Sequence, residues 1–141
     1  MTVSARWSRL QPGAHPVPVR TTMLLVDDDD AFRAAASALL GAAGFEVAAE
    51  SPTGLGAIAM AAALQPSVVL LDVQLPDIDG FEVARRLRSQ GDPAKVVLIS
   101  TREATDYGRR IAESGADGFI TKSRLSAVAL RAILQDGRID Q

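Results

Sequence analysis

Short apolar runs alternate along the chain with longer stretches of helical period. The run Val68-Val69-Leu70-Leu71 leads straight into Asp72, and a loop with Pro76 follows. Such a run, continuous and holding two β-branched residues, reads as a strand buried on both faces, as in a parallel sheet. Similar patterns predict strands over residues 22–26, 45–49, 95–100 and 118–121. Helical spacing predicts a helix over 31–43, with Phe32, Ala35, Leu39, Leu40 and Ala43 on one stripe. Further helices are expected over 53–64, from about Gly80 onward, and over 126–135. The helix from Gly80 carries Phe81, Val83, Ala84 and Leu87 inward and places Arg85, Arg86 and Arg88 on its solvated side. Residues 101–114 are mostly polar and include Gly108, so a short or mobile helix is expected there.

The punctuation agrees with these elements. Asp29 or Asp30 suits the N-cap of the first helix, where negative charge favours the dipole, and Gly44 suits its C-terminal stop. Thr53 caps the second helix, which closes before Pro66. Gly91-Asp92-Pro93 reads as a loop. Strands and helices alternate five times. Right-handed crossovers then give a parallel sheet with helices on both faces. The expected fold is α/β, flavodoxin-like and doubly wound, with five strands in the order 2-1-3-4-5 and a switch point between strands one and three.

Composition adds limits. The 141 residues suit one domain, and 48% hydrophobic with 23% charged is an ordinary globular balance. There is no cysteine, which removes disulfides and thiolate metal sites. A net charge of −2 gives no support to direct nucleic-acid binding. The longest apolar run, residues 55–64, is about half of a membrane span, and the arginines at 6, 9 and 20 flank no apolar signal segment. A cytoplasmic location is the expectation. Residues 1–20 hold Pro12, Gly13, Pro16 and Pro18 without any period and are expected to form a flexible extension, with Trp7 and His15 exposed in it. The domain is expected over 21–137, with 138–141 as a tail.

In a parallel sheet all strand ends of one sense share an edge. Strand one ends in Asp27-Asp28, strand three in Asp72, strand four in Ser100 and strand five in Lys122. Three carboxylates, a hydroxyl and an ammonium are thus expected on one patch. Two carboxylates about 4 Å apart repel by roughly 4 kcal/mol at an effective dielectric of 20, and one lysine cannot neutralise three. A hard divalent cation can, and oxygen-only ligands favour Mg²⁺. A carboxylate beside a metal can also act as a nucleophile and form an aspartyl phosphate.

These residues resemble the receiver domain of the two-component response regulator family. The matching pieces are Leu25-Val26-Asp27-Asp28, the block from Leu71 to Gly80, Ile99-Ser100 after an apolar strand, and Gly115 to Lys122. The resemblance covers about residues 22–135. It implies that Asp72 accepts a phosphoryl group from a histidine kinase or phosphotransfer protein. It implies Mg²⁺ held directly by Asp28, by Asp27 through a metal-bound water or as a second ligand, by Asp72 and by the backbone carbonyl of Gln74. Ser100 would follow the phosphoryl group, Phe119 would change rotamer with it, and Lys122 would pair with the phosphate. Asp29 and Asp30 lie outside the motif. The face of helix four, strand five and helix five, with Tyr107, Arg109 and Arg110, is implied as the surface for a downstream protein, an output domain or a second copy. The protein would be a phosphoacceptor that assists its own phosphorylation and dephosphorylation, not an enzyme acting on others.

Some positions depart from the family pattern. Ser123 follows Lys122 where proline is usual, as in the branch resembling nitrate/nitrite regulators, so a trans bond is expected. Thr101 stands where alanine is common. Gln74 and Arg102 occupy positions that tune dephosphorylation in the family. A phosphorylation-independent interaction module would be expected to lack Asp72 or Lys122. A phosphatase with an aspartate nucleophile usually has a second aspartate two residues on, where this chain has Gln74. With about six residues after the last helix, the chain is expected to be either a single-domain regulator or a piece of a longer one.

Overall fold

The computed structural model describes residues 20–136. The expected N-terminal extension, with Trp7 and His15, and the tail at 138–141 lie outside the described residues, apart from Arg20.

Five strands run in the order β2-β1-β3-β4-β5. They are β1 (Thr22–Val26), β2 (Glu46–Ser51), β3 (Val68–Asp72), β4 (Lys95–Ser100) and β5 (Gly118–Thr121), and every neighbouring pair is parallel. The helices between and after them are α1 (Asp30–Ala42), α2 (Gly54–Leu64), α3 (Gly80–Ser89), α4 (Arg110–Glu113) and α5 (Ala127–Asp136). The doubly wound α/β fold expected from the pattern is therefore observed.

Strand pleating splits the core in two. Leu24, Val26, Val69, Leu71, Val96 and Leu98 face Ala57 and Ala61 of α2, Phe81, Val83 and Leu87 of α3, and Ile111 of α4. Met23, Leu25, Leu70, Val97, Ile99 and Ile120 face Ala36 and Leu40 of α1 and Leu130 of α5. Both faces of β3 are covered, which is why its sequence is continuously apolar rather than alternating.

Several boundaries differ from expectation for local reasons. Strand β2 starts one residue later than expected and runs on to Ser51, whose carbonyl accepts the Asp27 N–H at 3.0 Å. Asp29, not Asp30, caps α1, accepting from Ala31 and Phe32. Helix α2 does end at Leu64, as expected, with Gln65 in the left-handed region, φ 50°, just before Pro66. Ser126 is outside α5 and caps it through the Ala129 N–H at 3.0 Å. The polar stretch after β4 forms a 3₁₀ turn (Ala104–Asp106) and the single turn of α4, as its composition suggested.

Arg88 corrects a sequence expectation. Arg85 and Arg86 are exposed and pair with Glu82. Arg88 instead turns inward and donates to the carbonyls of Gly115 at 2.8 Å and Ala94 at 2.8 Å and to the carboxylate of Asp117. Asp117 in turn accepts the Val96 N–H at 2.8 Å. The arginine thus ties α3 to the start of β4 and to the turn before β5.

Candidate functional site

The strand register brings the polar ends together. Val26 pairs with Leu71, Asp72 with Ile99, and Ser100 with Thr121, so the residues after β1, β3 and β5 emerge at the same carboxyl edge. An open cleft of about 280 Å³ lies there, lined by Asp27, Asp28, Asp29, Asp72, Gln74, Leu75, Pro76 and Lys122.

The loop after β3 is built by backbone and capping bonds. Gly80 donates its N–H to the Val73 carbonyl at 2.8 Å. A Cβ at Gly80 would collide with the Asp72 carbonyl and lie 2.9 Å from Val73 Cα, so only glycine lets α3 start this close to the site. Asp79 caps α3 through the Glu82 N–H at 2.9 Å. Asp77 reaches across to α2 and accepts the Gly54 and Leu55 N–H groups, both at 2.8 Å. Its carboxyl is held below the usual range: its slight burial pushes it up, but the backbone donors, Leu55 and Gly54 first, outweigh that.

Asp27 is fully buried, Asp72 is 5% exposed, and Asp28 is exposed at the mouth. One oxygen of each lies within 4.8 Å of the others. Lys122 Nζ sits 2.6 Å from Asp27 Oδ2 and donates to Asp72 Oδ2 at 3.4 Å. The Asp27 contact is an ion pair by distance but lies off the hydrogen-bond direction. Asp27 Oδ2 is the buried side-chain oxygen without a directed hydrogen bond among the described residues. Its other oxygen accepts the Asp29 N–H at 2.9 Å. Lys122 also stands 4.4 Å from the centre of the Phe32 ring, a cation–π contact that steers the ammonium.

The charges respond to this packing. Burial pushes the Asp72 carboxyl up and the Asp27 charge adds to it, to about 6, against the pull of Lys122 and the Gln74 N–H. Burial disfavours the Lys122 charge, but Asp27 and Asp72 outweigh it and hold that ammonium above the usual lysine range. Three carboxylates against one ammonium, offering only oxygen donors, fit a hard divalent cation such as Mg²⁺.

Ser100 and Phe119 stand apart from the cleft. Ser100 is buried at the end of β4, and its hydroxyl is turned to the Tyr107 hydroxyl at 2.6 Å instead of joining the carboxylates. Phe119 is half-buried beside the Tyr107 ring, with ring centres 5.9 Å apart. The expected patch therefore holds three carboxylates and the ammonium, while the hydroxyl faces elsewhere. Gln74 lies on the cleft wall and donates its N–H to Asp72 at 3.3 Å. Thr101 and Arg102 are exposed, and Arg102 N–H donates to the Ser100 hydroxyl at 3.0 Å. Ser123 has a trans bond, as expected; no cis peptide occurs among the described residues. Two contributors were missed in the sequence. Phe32 read only as a core position, and Asp29 only as a cap, although it also lines the cleft.

Residues 23–135 match the family described as the response regulator receiver domain. The chain belongs to that family. This receiver domain is 36% identical over 115 residues to the response regulator GacA of Pseudomonas aeruginosa, covering 80% of the chain and 53% of GacA. It also resembles the signal receiver domain attributed to the response regulator NarL of Mycobacterium tuberculosis, at 30% identity and a TM-score of 0.76, covering 85% of this chain and 98% of that one. A DNA-binding response regulator of the LuxR family from Staphylococcus aureus is similar too, at 26% identity and a TM-score of 0.75, over 83% of this chain and 98% of the other. The NarL likeness agrees with the branch suggested by Ser123. The receiver domain spans about half the length of the curated relatives it matches. No helix among the described residues is long and apolar enough to cross a membrane.

Proposed function

We propose that this receiver domain is the phosphoacceptor of a two-component pathway and that Asp72 carries the phosphoryl group. The observation that supports this most is a nearly buried carboxylate at the end of the central strand, open to a cleft and flanked by Lys122, Asp27 and Asp28. The donor is a phosphohistidine of a sensor kinase or phosphotransfer protein. An Asp72 oxygen forms the new P–O bond while the N–P bond breaks and its electron pair stays on the ring nitrogen; a phosphohistidine protonated on its other ring nitrogen leaves as neutral imidazole. Lys122 then pairs with the phosphoryl oxygens and offsets their charge. The Gln74 N–H at 3.3 Å and the Lys122 ammonium at 3.4 Å orient the attacking carboxylate.

Asp27 and Asp28, with Asp72 and the carbonyl of Gln74, would hold Mg²⁺. The ion supplies neutralisation of charge on the transferring phosphoryl group. The domain acts as a switch read by a downstream protein or an output domain, in the cytoplasm, through the face of α4, β5 and α5. A second copy could use the same face. Ser100 and Phe119 are the candidate switch residues by resemblance.

Intact mass after incubation with acetyl phosphate and Mg²⁺, beside Asp72→Asn, tests this. The expected result is a gain of one phosphoryl group that is lost in the variant and without magnesium. No gain under any condition would replace this reading with a phosphorylation-independent interaction module.

A further inference from the structure

Ser100 and Tyr107 make a contact that the phosphoryl chemistry does not use. Ser100 ends β4, 1% exposed, and lies one strand over from Thr121, the residue before Lys122. From that position its hydroxyl could serve a group on Asp72. Instead it lies 2.6 Å from the Tyr107 hydroxyl. A buried hydroxyl is costly without partners; here it accepts the Arg102 N–H at 3.0 Å, and the phenol is its one side-chain partner among the described residues.

Tyr107 is the one tyrosine of the chain. Its ring is half-buried and edge-on to Phe81, with centres 5.2 Å apart, and to Phe119 at 5.9 Å. Phe119 has no hydroxyl, so it cannot be the hydrogen-bond partner of Ser100. The backbone around Tyr107 is lightly tied. A 3₁₀ turn precedes it, Gly108 follows at φ +58°, and the helix beyond is a single turn.

We propose that Tyr107 is a latch whose hydroxyl competes with the phosphoryl group on Asp72 for the Ser100 hydroxyl. When Ser100 turns to the phosphoryl oxygens, Tyr107 loses its polar partner and its ring leaves the slot between Phe81 and Phe119. Tyr107 is a positioning residue: it acts through Ser100 and touches no reacting atom. This rests on Asp72 being the phosphoacceptor.

The single tyrosine makes the test direct. The full chain, labelled with 3-fluorotyrosine, is observed by fluorine NMR before and after loading with beryllofluoride and Mg²⁺, the phosphoryl mimic. Loading is read separately from the bound-fluoride signal. The tyrosine resonance is expected to move on loading in the wild type and to stay put in Ser100→Ala, which has no hydroxyl to exchange. Tyr107→Phe keeps the ring and removes the competitor. Its half-saturating beryllofluoride concentration is expected to fall about fivefold, the weight of one net hydrogen bond. A ring that served packing alone would leave that concentration unchanged. A wild-type tyrosine resonance that stays fixed while the carboxylate is loaded overturns the latch and leaves Asp72 as the acceptor. An unchanged concentration in Tyr107→Phe also overturns it. A wild type that takes up neither beryllofluoride nor phosphoryl overturns the acceptor reading, and the latch with it.

Discussion

Lys122 stands nearer to Asp27, at 2.6 Å, than to Asp72, at 3.4 Å. The lysine chiefly offsets the charge of the fully buried carboxylate. Lys122→Met should therefore destabilise the fold by about 3 kcal/mol in EDTA at neutral pH, because it strands a buried charge. Urea denaturation reads this, and an unchanged midpoint would show that Asp27 does not depend on the lysine. Added Mg²⁺ should recover part of the loss.

Asp28 has the opposite sign. It adds a third negative charge to a cluster with one ammonium, and it is exposed, so the repulsion is about 1 kcal/mol. Asp28→Asn should raise the thermal midpoint by about 4 °C in EDTA. The further gain that Mg²⁺ gives the wild type should shrink in this variant. A lower midpoint in EDTA would mean that Asp28 is held by contacts and not by tolerance of its charge.

Asp77 joins the loop after β3 to the start of α2 through two backbone N–H groups. Asp77→Ala should cost about 1 kcal/mol, the usual worth of a helix N-terminal acceptor. The pH dependence has a definite sign. The folded-state carboxyl lies below its ordinary 3.8, so its contribution is complete above that value and is lost as pH falls through the folded value. The difference in stability between wild type and Asp77→Asn should therefore narrow in acid below about 3.8. A constant gap across that range would remove the charge from the account.

Gly80 bears on the position of Asp72 as much as on stability. A side chain there would press on the Asp72 carbonyl and on Val73 Cα, both backbone and unable to swing aside. Gly80→Ala should cost about 2 kcal/mol and slow acetyl phosphate labelling in the fraction that remains folded. Stability and labelling rate both at wild-type levels would show that α3 can retreat freely.

The sheet order and its polar edge were legible because each strand's type and terminal residue are local signals. Four apolar runs ending in Asp27, Asp72, Ser100 and Lys122 are enough to place those residues at one edge once the strands are parallel. Side-chain direction is a tertiary property, and it was not legible. Arg88 looked like its neighbours Arg85 and Arg86 on a solvated stripe, yet carbonyls 6 and 27 residues away draw it inward. Ser100 was placed correctly along the strand, but its rotamer depends on Tyr107, seven residues on across an irregular turn. The reach of Asp77 to α2 spans 23 residues and leaves no periodic trace.

Over most of the sheet the cover is a helix of ten to thirteen residues. Between β4 and β5 it is one 3₁₀ turn and four residues of α4. A segment opens at a free energy set by what it alone buries, so this sector can melt while the rest of the domain stays native. The molecule then carries a cheap local transition beside its most chemically loaded edge. A partner that requires the ordered sector would bind in proportion to the time that sector spends folded, and chemistry at the edge could set that fraction without moving any rigid body.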